Sequence, residues 1–182
     1  MITPHILWVG LALLIVGLFG AVRLWPEGGY GKTFSQHIAT ARTGIIYYTL
    51  VFALTLPLFA AFFFGWFIPA YQPSILFNIF ISIALISQFL CTLVPEIGHK
   101  RKVAHRALAL VSALGLLASM VVALVSGSFG VPDKIILFVG SAVMTWLLTV
   151  MIVTNASHSK ILFVQAGYFA AFFTSVLLVV YL

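Results

Sequence analysis

Residues Ile75–Val94 read ILFNIFISIALISQFLCTLV, with no charged side chain from end to end. About 20 largely apolar residues are what a helix needs to cross about 30 Å of hydrocarbon, so this stretch predicts a transmembrane span. Five more runs read the same way, at 6–22, 45–68, 107–125, 135–153 and 161–182. The expected fold is all-α, a polytopic transmembrane bundle of six helices in a single domain, 1–182.

Composition agrees. Hydrophobic residues make up 63% of the chain and charged ones 7%, against about 25% charged in an ordinary soluble domain. The net charge of +6 is spread over short loops without an aromatic platform, which argues against nucleic acid and for membrane lipids as partners. Cys91 is the sole cysteine, so a disulfide within the chain and a CxxC redox pair are both excluded. Met1 to His5 carry no Lys or Arg, and the first run is followed by Arg23, not by a small-residue cleavage site. That pattern predicts a retained first helix.

Turn signals separate the runs: Trp25-Pro26-Glu27-Gly28-Gly29, Pro69-Ala70-Tyr71-Gln72-Pro73, and Gly127 to Lys134. If all six runs cross, loops one, three and five share a face. That face holds Arg23, Lys32, Arg42, Lys100, Arg101, Lys102, Arg106 and Lys160, eight of the nine basic residues. The positive-inside rule then predicts a cytoplasmic basic face and both termini outside. In the first of these loops Thr33 and Gln36 have capping-box spacing. Two readings fit: a short amphipathic interfacial helix over 33–43, or a longer second span emerging from the bilayer. Trp8, Trp25, Trp66, Tyr71 and Tyr181 sit where interfacial anchors sit. Pro57 should kink the second span and free carbonyls near Ala53 for a partner such as Thr55. His37 with Arg42, His105 with Arg106, and His158 with Lys160 each precede an even-numbered span, but nothing else aligns into a repeat. Asn155-Ala156-Ser157 matches a glycosylation pattern on the face predicted to be cytoplasmic, so it is disregarded.

No ionisable residue lies at mid-membrane depth, where pumps and ion-coupled transporters place them. Uncharged polar residues do form stripes. Asn78, Ser82, Thr92 and Glu96 fall within about 80° on the third helix, and His105, Ser112 and Ser119 recur every seventh residue on the fourth, with Gly115 nearby. These helices should be antiparallel neighbours, so Glu96 and His105 are expected to meet near the basic face. One reading is a polar pocket of Asn78, Gln88, Glu96, His105 and Ser112. The other is close packing through Gly115-x-x-x-Ser119-x-x-x-Ala123, with small and polar residues admitting a neighbouring helix. No catalytic residue, metal site or cofactor is assigned. Only His105 stands where a haem ligand could point inward, and a bis-His site needs two. Lys100, Arg101, Lys102 and Arg106 are expected to contact inner-leaflet headgroups.

A span ending in Val94-Pro95-Glu96, a short basic loop, and His105 opening a small-residue-rich span (Ala107, Ala109, Ser112, Ala113, Gly115) resemble a bacterial six-helix family, domain of unknown function 998. Ser35, Gln36 and His37 before the second span are similar to the same place in that family. The family is in turn similar to DRAM/Frag-like membrane proteins. The resemblance implies one helical bundle with no established activity, and lipid organisation as a direction.

The function expected from these features is a non-enzymatic bundle that binds lipid or a protein partner in the membrane. A small transporter is the alternative, and a membrane enzyme or b-type haem protein using His105 the second alternative.

Overall fold

The computed structural model describes residues 3–26, 29–153 and 160–182. Helix α1 (Ile6–Leu24) is followed by one 3-10 turn (Gly29–Gly31) and the short α2 (Phe34–Ile38). Helix α3 (Arg42–Phe62) runs through a π-helical turn (Phe63–Phe67) into α4 (Ile68–Tyr71), making one continuous rod of 30 residues. Then come α5 (Ile75–Leu93), α6 (Gly98–Val125), α7 (Val131–Val153) and α8 (Ile161–Tyr181). Six of these rods are long and apolar enough to cross a membrane, and no strand occurs among the described residues.

Only 33–39% of each rod's most apolar window is buried. Val16, Phe19, Phe138 and Trp146 all point outward. Water would penalise so large an apolar surface, whereas hydrocarbon accepts it. The chain is a multi-pass α-helical membrane protein.

Four boundaries depart from the spans expected from sequence. The basic run His99 to Lys102 is not a loop but the opening turns of α6, which begins at Gly98 instead of residue 107. Lys and Arg are good helix formers, and a 28-residue helix is about 42 Å long, so α6 outruns the hydrocarbon and carries its cations with it. Helix α7 starts at Val131, because Pro132 suits a first turn and the Asp133 carboxylate accepts from the Gly130 N–H at 3.0 Å. The second rod extends from Arg42 to Tyr71. Of the two readings of the first basic loop, the separate helix is found, spanning only Phe34–Ile38, with both halves of the Thr33/Gln36 capping box formed. Asn155 to Ser157 and His158 lie outside the described residues, as do Glu27 and Gly28.

Pro57 sits inside α3, but Thr55 does not answer a freed carbonyl; its buried hydroxyl has no partner. The distortion in this rod is the π turn further on. Phe62, Phe63 and Phe67 around it are almost wholly buried and cluster with Phe77, Phe129 and Phe172. This aromatic plug fills the bundle at one end. The start of α1 and the end of α8 lie at that end, where Tyr181 bonds and stacks on His5. The opposite, basic end holds α2 and the start of α6.

Consecutive rods pack as antiparallel neighbours, most extensively α5 on α6. A methyl group on Gly115 would stand 3.0 Å from both the Phe80 carbonyl oxygen and the Ala84 side chain, so the two backbones touch there. Ser112 reinforces the seam, donating to the Ala84 carbonyl at 3.0 Å. Replacing Gly115 with Leu should force the helices apart and cost about 1–3 kcal/mol. Thermal unfolding in detergent checks this, with Gly130→Ala as a control expected to be near neutral, since its new methyl would meet nothing closer than 3.5 Å.

Candidate functional site

A cavity of about 370 Å³ opens at the basic end, between α2, α5, α6, α7 and α8. That volume lies within the range of about 300–1,000 Å³ typical of small-molecule sites. Its walls differ in character. Gln36, Gln88, Glu96, Arg106, Ser112 and Gln165 form a polar side, while Leu110, Leu148, Met151, Ile152 and Phe169 form an apolar one.

Glu96 anchors the polar side. It follows α5 by three residues, and its side chain is only 3% exposed. A carboxylate so sheltered needs several donors. It has three: Arg106 Nε at 2.9 Å, Gln36 Nε2 at 3.1 Å and Ser35 Oγ at 3.2 Å. The capping box therefore does more than start a helix. It presents Ser35 and Gln36 to Glu96 and ties α2 across the mouth of the bundle. Phe34 adds a second tie, its N–H donating to Gln165 Oε1 at 3.2 Å.

The expected pairing of Glu96 with His105 does not form. Arg106, the next residue, is the carboxylate's ionic partner. His105 is buried and directs Nδ1 to the carbonyl oxygens of Val94 at 2.7 Å and Cys91 at 3.0 Å. Only an N–H bonds a carbonyl, so the proton is on Nδ1. The last carbonyls of a helix have no partner within it, and His105 supplies one from the neighbouring helix. The Cys91 sulfur lies 3.4 Å from Nδ1 and 3.5 Å from Nε2. Near-equal distances place it off the lone-pair axis of either nitrogen, so this contact is not a thiol–base dyad.

Of the residues assigned from sequence to a polar pocket, Gln88, Glu96, His105 and Ser112 line this cavity. Asn78 does not. It lies deeper on α5, with its side-chain oxygen buried and unpaired and its carbonyl accepting from Ser82. Lys100, Arg101 and Lys102 are exposed on the projecting turns of α6, while Arg106 is half-exposed at the cavity's edge. Along the α5–α6 stripe, Gly115, Ser119 and Ala123 are buried packing positions, and the cavity begins on the basic side of Ser112.

Sequence reasoning missed Thr33, Ser35, Gln165 and Tyr168 as cavity residues. With Gln88, Gln165 is one of only two glutamines inside a span, and that rarity was a usable signal. His37 lies in the short helix α2. It is fully buried, with Nδ1 2.7 Å from the Trp25 carbonyl oxygen and Nε2 3.0 Å from that of Gly29. Both ring nitrogens are thus spent on holding the first loop, which leaves neither for a metal or haem iron. No group of three metal-ligating side chains occurs among the described residues.

No family model, no curated protein and no solved structure matches the chain.

Because His105 caps α5, replacing it with Leu should strip two carbonyls of their donor and destabilise the bundle by about 1–3 kcal/mol. His105→Asn, which keeps an N–H, should recover part of that loss in the same thermal unfolding assay. Equal destabilisation by both would count against the capping role.

Proposed function

We propose that this protein binds one amphiphilic ligand from the membrane at its basic end and does not transform it. The observation that carries the reading is the two-sided cavity, with polar donors and a neutralised carboxylate on one wall and aliphatic and aromatic side chains on the other. It lies level with the helix ends, where a bilayer passes from headgroups to chains.

The arrangement suits binding better than chemistry. Glu96 is held by three donors and has little freedom to accept a substrate proton. The Nδ1 of His105 is committed to the backbone. A transport path also fits poorly, since the polar lining stops near Ser112 and the aromatic plug fills the far end.

The orientation belongs to the same proposal: the basic end faces the cytoplasm and both termini face outward, a reading supported by the asymmetry of Lys and Arg. Lys100, Arg101 and Lys102 then lie against the inner leaflet, each attracted to anionic headgroups by about 1 kcal/mol. Kinship with the six-helix family of unknown function is part of the proposal too, carried by Val94-Pro95-Glu96 and His105.

Two measurements test this. In a Cys91→Ser background, Lys102→Cys should react with an impermeant maleimide only after cells are permeabilised, and Lys134→Cys should react in intact cells. The reverse pattern would invert the topology. Native mass spectrometry after gentle extraction should show a bound species of lipid mass at one per chain, lost on heating with the fold. A chain that never retains such a species would remove the binding function.

A further inference from the structure

A second cavity, of about 430 Å³, runs between α1 and α8. It is an apolar slot, lined on α1 by Leu11, Ile15 and Leu18 and on α8 by Ala166, Phe173 and Leu177, with no charged side chain. Aromatic pairs flank both ends. Towards the termini, Trp8 meets Tyr181 at 6.0 Å between ring centres, and towards the basic end Tyr30 meets Phe163 at 4.7 Å. One side chain, Phe169, lines both this slot and the polar cavity. On α8 the two overlap in depth: Ile161 to Phe169 border the polar cavity, and the slot runs from Ala166 to Leu177. The eleven steps from Ala166 to Leu177 rise about 16 Å, close to the roughly 15 Å that is half of the hydrocarbon thickness.

We propose that the two cavities are one site for an anionic lipid, with its phosphate-bearing head in the polar cavity and one acyl chain passing Phe169 into the α1–α8 slot. This rests on the amphiphile-binding reading above and adds the charge of the head and the place of the tail. The charge follows from which hydrogen-bonding groups remain unused. Glu96 is occupied by Ser35, Gln36 and Arg106, and Gln165 Oε1 by the Phe34 N–H. The terminal nitrogens of Arg106 and the amide nitrogen of Gln165 bond nothing among the described residues. What the cavity still offers is donors, one of them the fork of a guanidinium. A ligand rich in acceptor oxygens and bearing negative charge completes it, and phosphate matches that fork in two parallel bonds. The exposed Lys100, Arg101 and Lys102 add the same sign of field at the entrance. The tail follows from shape, because the slot is as long as a chain descending from a head held at Gln165 needs.

The test uses the whole chain in detergent, titrated with 1-oleoyl lysophosphatidate, its 1-hexanoyl analogue and inorganic phosphate. Ala170→Phe fills the slot from an exposed position, and Arg106→Lys keeps the Glu96 partner's charge but removes the fork; circular dichroism confirms that both variants fold. The oleoyl lipid should bind one per chain and inorganic phosphate should not. Ala170→Phe should weaken the oleoyl lipid by about tenfold or more and leave the weaker hexanoyl analogue unchanged, whereas Arg106→Lys should weaken both. Oleoyl binding untouched by Ala170→Phe would overturn the placement of the tail while the amphiphile site stands. Indifference of both lipids to Arg106→Lys would overturn the anionic head, and inorganic phosphate binding as tightly as the oleoyl lipid would make this a soluble-anion site. Binding of neither lipid, with no co-purified lipid, would end the amphiphile reading itself.

Discussion

Lipid gives a helix no hydrophobic reason to leave it for another helix, and it answers none of a helix's polar groups. Contact between spans must therefore come from close packing and from hydrogen bonds that protein alone can complete. The α5–α6 seam meets both demands. Gly115 lets the backbones touch, Ser112 reaches across to the Ala84 carbonyl, and His105 closes the open end of α5. The same device recurs elsewhere. Hydroxyls of Tyr47, Thr49, Tyr71 and Tyr168 each donate to a backbone carbonyl on another helix. Such a bond needs only one well-placed side chain, since the carbonyl is always present. It costs little side-chain entropy where an aromatic ring carries the hydroxyl.

Where that seam opens, the cavity begins. On the basic side of Ser112, helices α5 and α6 no longer fill the space between themselves and α8, and α2 spans the gap. Its five residues are too few to be stable alone. They are held because Glu96 takes Ser35 and Gln36, Gln165 takes the Phe34 N–H, and His37 is fixed under the first loop. The buried carboxylate thus organises the mouth of the site more than it serves any reaction. Removing its donors one at a time would loosen the cover before it loosened the bundle.

The fold was legible because span formation is a local property: each run announces its own length and apolarity without reference to the others. Helix ends were less legible. The cations at Lys100 to Lys102 read as a loop because charge marks the edge of hydrocarbon, yet the helix continues into the headgroup region, where lysine and arginine favour it. The site was half legible. Gln88, Glu96, His105 and Ser112 share helix faces that sequence spacing can find. Which partner each takes is a matter of rotation and depth between helices, and spacing says nothing of that. Glu96 turned to Arg106 and α2, and His105 to its neighbour's carbonyls. Asn78 lay on the right face at the wrong depth.

His37 shows the limit most clearly. On a helical wheel it belongs with Gln36 and Thr40 among polar residues facing water, but in the protein it is wholly buried. A histidine can enter an interior if the backbone offers acceptors, and the loop from Trp25 to Gly29 offers two. Because the loop leads into α2, and α2 covers the cavity, the packing of a single imidazole is joined mechanically to the mouth of the site. Hydrophobic patterning treats polar residues as a class. In a protein with so few of them, the individual assignments decide where space is left for a ligand.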